Sequence, residues 1–271
     1  MRTLLSIALA LLCSIAPAQG LLDIDGLRAG VQTARDSIHT LRATLRVDTN
    51  PEEADPTDDL VLQALAVGDG QGNFVANRFA LDAPDELAEQ FFIVVPGDPT
   101  TSDDDLFALY LLLTNQVIIT RGELAAGSSF DQIVGGTRGE EDDDLFSFSA
   151  SAFDTAVVAT PLVDSSQAYT VEAFPKRARD KEDFSRLVLT LFGPERQFQP
   201  LRIEFYDPDD ATKLSQVIVF ERYQRDVELG LDEVLNVCNP FESDQIVPLD
   251  VTNLEGTVEE AAATCGVEVV L

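Results

Sequence analysis

The chain has 271 residues, 48 of them Asp or Glu against 18 Lys or Arg, for a formal charge of -30; hydrophobic residues make up 45%. That charge argues against nucleic acid, which needs Lys and Arg to displace phosphate counterions, and against docking on an anionic lipid surface. The apolar share supports a packed core in one large domain or two small ones, and the charge predicts a dispersed monomer.

Arg2 precedes an apolar run from Leu4 to Leu12, and Ala16-Pro17-Ala18 supplies the small residues of a cleavage site. This is the pattern of a secretory signal peptide over residues 1–18, cleaved near Ala18; an N-terminal membrane anchor is the rival reading. Leu12, not a small residue, precedes Cys13, which argues against a lipidated terminus. The apolar stretch Leu106 to Leu113 is ended by Thr114-Asn115-Gln116, well short of the ~20 residues a span needs. No stable membrane insertion of the exported chain is expected. Cys238 and Cys265 remain after cleavage, and an even pair in an exported protein predicts a disulfide, with two free thiols as the alternative.

Ile24, Leu27, Val31, Ala34, Ile38 and Leu41 recur at spacings of three and four, one apolar stripe on a helix that Asp23 or Asp25 can cap. From Leu41 the period becomes two. Leu41, Ala43, Leu45 and Val47 alternate with Arg42, Thr44, Arg46 and Asp48, which predicts a half-buried strand. Asn50 to Asp59 is an acidic loop. Strand-like runs follow at Leu60–Val67, Phe74–Leu81, Gln90–Val95, Leu106–Leu113 and Val117–Arg121. Turn signals such as Gly68-Asp69-Gly70 and Asp82-Ala83-Pro84 separate them, and the spacing predicts an antiparallel meander.

Gly122 to Asp144 is rich in Gly and acid, with a helical turn or two expected at Ser128–Val134. Ala150 to Val158 is ambiguous, with a short helix preferred. Further strands are predicted at Tyr169–Phe174, Ser185–Phe192, Leu201–Tyr206 and Gln216–Tyr223. Leu201, Ile203 and Phe205 alternate with Arg202, Glu204 and Tyr206, the pattern of a sheet with one wet face. Leu187, Leu189 and Leu191 share a face, while Val188 and Phe192 make the other partly apolar, so protein or ligand has to cover both.

The chemistry available is narrow. His39, the only histidine, falls off the apolar stripe and reads as a solvated side chain. A Ser-His-Asp or Cys-His arrangement would have to use it, and no serine sits in a G-x-S-x-G elbow. There is no zinc spacing and no glycine-rich phosphate loop, so no metal, cofactor or catalytic residue is assigned. The runs Asp103–Asp105 and Glu140–Asp144 read as solvated charge; calcium binding is the competing reading, without the acid spacing or central glycine of an EF-hand. A carboxylate pair for glycoside hydrolysis is defined by the fold, but no Trp and only four Tyr leave little to stack on sugar. A non-enzymatic protein is expected.

Several phrases carry a family likeness. The opening helix runs into Leu41-Arg42-Ala43-Thr44-Leu45-Arg46-Val47; Leu109-Tyr110-Leu111-Leu112-Leu113 meets Thr114-Asn115-Gln116-Val117; Tyr169 to Lys176, Phe184 to Phe192 and Pro200 to Asp207 follow. In order and wording these resemble the periplasmic LolA-like carriers and sorting proteins of outer-membrane lipoproteins, over about residues 22–237, with 238–271 as an addition.

The resemblance implies an α+β fold: a strongly curved antiparallel β-sheet, an unclosed half-barrel, with helices covering its concave face. It implies a periplasmic carrier that takes acyl chains of a lipid or lipoprotein into an apolar cavity, with inner- and outer-membrane lipoprotein-handling proteins as partners. The alternative is an envelope protein-interaction or stress-sensor module on the same fold. The expected cavity lining is Phe79, Phe91, Ile93, Leu109, Leu111, Leu187, Leu189, Ile203 and Phe205, at alternate positions of neighbouring strands. Arg78 matches the family's early-strand arginine, although Phe79 stands where the family shows Pro.

Overall fold

The computed structural model describes residues 21–52, 59–70, 74–84, 90–96, 106–121 and 150–236, together with 88, 262 and 268–270. The signal-peptide segment, Ser128–Val134, both acidic runs, Cys238 and Cys265 lie outside the described residues. Asp23 opens α1 (Ile24–Asp36) as its N-cap: the carboxylate accepts from the Gly26 N–H at 2.8 Å, satisfying a donor that the first turn leaves orphaned. Leu27 and Val31 are the buried side of its stripe. The helix stops at Ser37, so Ile38 and Leu41 belong to the turn and strand beyond it.

The strands of the first half are β1 (Thr40–Asp48), β2 (Leu60–Gly68), β3 (Phe74–Ala83), β4 (Phe91–Val95), β5 (Leu106–Leu111) and β6 (Gln116–Arg121). Each pairs antiparallel with the next, the meander expected from the spacing. β5 ends two residues before the predicted Leu113, which is 93% exposed in the turn to β6. Asn115 takes positive φ there (51°), a conformation Asn tolerates better than most residues.

The second half comprises β7 (Phe153–Ala159), β8 (Leu162–Val163), β9 (Ser166–Pro175), α2 (Ala178–Asp183), β10 (Arg186–Phe192), β11 (Pro200–Tyr206), β12 (Leu214–Arg225) and α3 (Leu231–Val234), with β13 (Glu268–Val270) last. The short helix preferred over Ala150 to Val158 is not formed. β7 occupies the segment and pairs with β9, because Phe153, Thr155 and Val157 present one side at period two and the β-branched residues suit a pleated surface.

One sheet holds the strands in the order β13-β6-β5-β4-β3-β2-β1-β12-β11-β10-β9-β7, with β8 beside β9. β12 returns to lie antiparallel to β1 and joins the two meanders; β13 runs parallel to β6. The sheet is strongly curved and antiparallel almost throughout, and it is open: β7 and β13, at its two ends, do not pair.

Register assigns the faces. Ala43, Leu45 and Val47 stand opposite Ala64, Leu62 and Leu60, and Ala64 opposite Phe79. With Val171, Leu187, Leu189, Ile203 and Ile218 they form the core under α1. The other face carries a second cluster over β3 to β6, including Phe91, Ile93, Ala108, Tyr110 and Ile119, closed by Val234 and Leu235 at α3 and by Ala262. Thus α1 covers the concave face and α3 packs behind the sheet. Over β9 to β11 the outer face is polar: Arg186 bonds Glu172 at 2.8 Å, and Arg202 bonds Glu204 at 2.7 Å.

Candidate functional site

Beneath α1 the core does not close. Ala43 and Ala64, directly opposite on β1 and β2, put two small side chains side by side where the next pair, Leu45 and Leu62, fills the space. The void is a cavity of about 80 Å³. Its helix side is Val31, Ala34, Arg35 and Ile38; its floor is Leu41, Ala43, Leu45, Ala64 and Phe79; β12 contributes Phe220, Tyr223 and Arg225. Phe74 and the Gln197–Phe198 and Pro200 stretch complete it.

A bulge on β12 makes this lining possible. The register shifts between Thr44 and Leu45, so that Ala43 faces Tyr223 while Leu45 faces Phe220. The extra residue brings an odd and an even position of β12 onto one side.

The loop from β10 to β11 adds an aromatic stopper. A 3-10 turn at Pro194–Arg196 is followed by Gln197 and Phe198, both at positive φ (53° and 55°). Such a conformation in a bulky non-glycine residue costs of order 1–3 kcal/mol and persists only where surroundings enforce it. Backbone bonds do so here: the N–H groups of Gln197, Phe198 and Gln199 donate to the carbonyls of Pro194, Gly193 and Arg196 at 3.0, 3.1 and 3.1 Å. The pose drives the Phe198 ring against α1 at Gly30, where an added Cβ would lie 2.2 Å from its Cζ. Glycine is required there for that contact.

The polar groups collect at the C-terminal end of α1. Arg225 donates through Nη2 to the Ala34 carbonyl and, at 2.8 Å, to the Ser37 hydroxyl, supplying donors where the helix runs out of its own. Burial pushes the Arg35 guanidinium below its ordinary value, partly countered by Asp36 and Tyr223. Burial also pushes the Tyr223 phenol up to about 12, against the opposing pull of Arg225 and Arg35.

The nine residues expected to line a cavity separate by register. Phe79 lines it. Leu187, Leu189, Ile203 and Phe205 lie in the same concave-side cluster, packed under 5% exposed. Phe79 pairs with Phe92, not Phe91, so Phe91 and Ile93 belong to the cluster behind the sheet. Leu109, opposite Phe92, and Leu111 are half-buried strand residues away from the cavity. Missed in the sequence were Phe198, Phe220, Tyr223 and the two arginines; the αL pair and the bulge that aim them leave no periodic signal.

Arg78 faces away from the cavity. It is 4% exposed in the rear cluster, its Nη1 donating to the carbonyls of Asn236 at 2.6 Å and Glu233 at 3.3 Å. Its guanidinium lies 4.0 Å from the centre of the Phe91 ring, and burial brings its pKa down to about 10. His39 is exposed, as expected for a solvated histidine. Among the described residues no group of three or more His, Cys, Asp or Glu could hold a metal ion, and no helix is long and apolar enough to cross a membrane.

No family model and no curated protein matches the chain. Solved structures resemble it at low identity. An uncharacterised conserved protein from Thermus thermophilus is 14% identical with a TM-score of 0.48, over 76% of this chain and 90% of that one. A LolA superfamily protein from Nitrosomonas europaea is 12% identical with a TM-score of 0.33, over 75% and 95%. The lipoprotein LppX of Mycobacterium tuberculosis is 12% identical with a TM-score of 0.41, over 76% and 100%. These are likenesses of chain path, and nothing about ligand or partner follows from them.

Proposed function

We propose that the chain is a non-enzymatic periplasmic carrier that takes acyl chains of a lipid or lipoprotein between α1 and the sheet for transfer toward the outer membrane. One observation carries this reading: an apolar cavity with cations at one end, roofed by a single amphipathic helix and stopped by one aromatic ring. Acyl chains are recognised by removal from water, at ~0.8 kcal/mol per methylene, and such a site needs no catalytic group. The residues 22–237 would form the carrier domain, with a Cys238–Cys265 disulfide in the tail.

At about 80 Å³ the cavity is smaller than the ~300–1,000 Å³ of ordinary ligand sites, so loading has to displace Phe198 or α1. That small volume also favours the second reading, an envelope protein-interaction module on the same fold with no lipid transport. Native mass spectrometry of protein purified from its own envelope separates them: the carrier reading expects a lipid adduct. Ala64→Leu, which fills the floor, should abolish the adduct while the protein still melts cooperatively. A lipid-free protein that also fails to bind an apolar dye would rule the carrier reading out.

A further inference from the structure

We infer that Phe198 sets the length of acyl chain the protein accepts: its ring is an end wall against which the chain's methyl end stops. The inference rests on the carrier reading above and adds a limit on cargo size.

Position carries it. On the helix side the lining runs from Val31 to Ile38, so Gly30 lies one residue outside it. The Phe198 ring occupies that boundary, with its Cζ 2.2 Å from where a Gly30 Cβ would project. Gly30 and Ala34 are four residues apart on one side of α1, and Ala34 lines the cavity. The ring therefore crosses the strip of helix along which an extended chain would continue. The sheet core over β10 and β11 offers no way round it, because Leu189, Leu191 and Ile203 are almost fully buried. The ring itself is half-buried, so a tail that passed it would run out along the flank of α1.

The stop is also pinned. The Gly193 N–H donates to the Gln167 carbonyl at 2.7 Å, and the Gln167 N–H donates to the Glu195 carboxylate at 2.6 Å, tying the loop to β9. The Phe192 N–H donates to the Gln199 carbonyl at 2.9 Å, closing the loop across its own neck. With the bonds that hold Gln197 and Phe198 at positive φ, these fix the ring to the sheet and not to the helix. When α1 lifts to admit a chain, the wall stays where it is. Each methylene taken from water before the chain reaches that wall is worth about four-fold in affinity (~0.8 kcal/mol). Methylenes beyond it remain in water and add nothing.

Displacement of N-phenyl-1-naphthylamine from the full exported chain tests this, using straight-chain carboxylates of eight to sixteen carbons below their micellar concentrations. In the parent, affinity should climb about four-fold per methylene and then level off. Phe198→Ala should move that plateau by about two or more carbons, since the space left by a deleted ring is only partly refilled. Phe198→Gly, which suits the positive φ and keeps the loop unstrained, should read the same. Adding Gly30→Leu to Phe198→Ala puts a side chain back at the boundary from the helix, and should return the plateau toward the parent's. Parent and both Phe198 variants levelling off at the same length overturns the inference and leaves the carrier reading standing. A longer plateau that Gly30→Leu fails to shorten also overturns it, because the ring would then act by bracing the loop. Failure of every carboxylate to displace the dye from the parent overturns the carrier reading as well.

Discussion

Arg78 offers a test of the sheet's rear face that can be worked quantitatively. Its descent from 12.5 to about 10, caused by burial, corresponds to ~3 kcal/mol against the charged form. The carbonyls of Asn236 and Glu233 and the Phe91 ring offset this, and arginine still carries its charge at neutral pH. In Arg78→Lys the same burial acts on a group whose ordinary value is only ~10.4, which brings its titration into the mildly alkaline range. At neutral pH the variant should be less stable than the parent by ~1–3 kcal/mol, since a buried carbonyl loses its donor. Between that native titration and ~10.4 the unfolded lysine keeps its proton while the native one has lost it. Stability rises with pH wherever the unfolded state binds more protons, so the deficit should shrink by up to ~3 kcal/mol on going from neutral to about pH 10. Urea unfolding followed by circular dichroism, parent against variant at each pH, measures it. A deficit that stays flat across that range would show that Arg78 is not desolvated as described.

Other outcomes follow from the cavity. The Tyr223 phenol is held up to about 12, so between ~10 and 12 the native state keeps a proton that the unfolded state loses. Its contribution of about 2–3 kcal/mol is complete below pH ~10 and lost as pH rises through 12; alkaline melts of Tyr223→Phe should lack that loss. Gly30→Ala puts a Cβ into the Phe198 ring and should destabilise by ~1–3 kcal/mol, yet in a Phe198→Ala background it should stabilise by up to ~1 kcal/mol through helix propensity. Additive values in that double-mutant cycle would mean the ring does not press on the helix.

Much of the fold is legible because periodicity is local. Asp23, Leu27 and Val31 announce a capped amphipathic helix, and the alternation from Leu41 to Asp48 announces a strand whichever partner it finds. The run from Ala150 to Val158 misleads because its alanines favour helix, while the deciding fact is the edge of β9 available for pairing. The cavity is the least legible part. Its space comes from Ala43 meeting Ala64 across two strands, and its wall from one extra residue on β12 that turns Phe220 and Tyr223 to the same side. Strict alternation would put those two on opposite faces. Phe91 shows the same sensitivity: register pairs Phe79 with Phe92, and one residue decides which face an aromatic serves.

Whether so small a cavity can serve a carrier turns on what it costs to lift its roof. Leu27 and Val31 are the buried anchors of α1, and exposing them costs ~3–6 kcal/mol together. Polar ties that hold it include Arg28 to the Thr155 hydroxyl at 2.5 Å, the Leu22 N–H to the Tyr169 hydroxyl at 3.3 Å, and Arg225 at the far end. An acyl chain gains ~0.8 kcal/mol per methylene removed from water, so about four to eight methylenes match the loss of both anchors. A lipid chain exceeds that length, whereas the rear cluster and the β9 to β12 core need not move. Hydrogen exchange should therefore find the amides of Val31 to Asp36 opening far more readily than those of β1 in the empty protein, and closing when dodecanoate is added. If α1 exchanges as slowly as β1 without ligand, the roof is part of the rigid core and a space of about 80 Å³ is all the protein can offer.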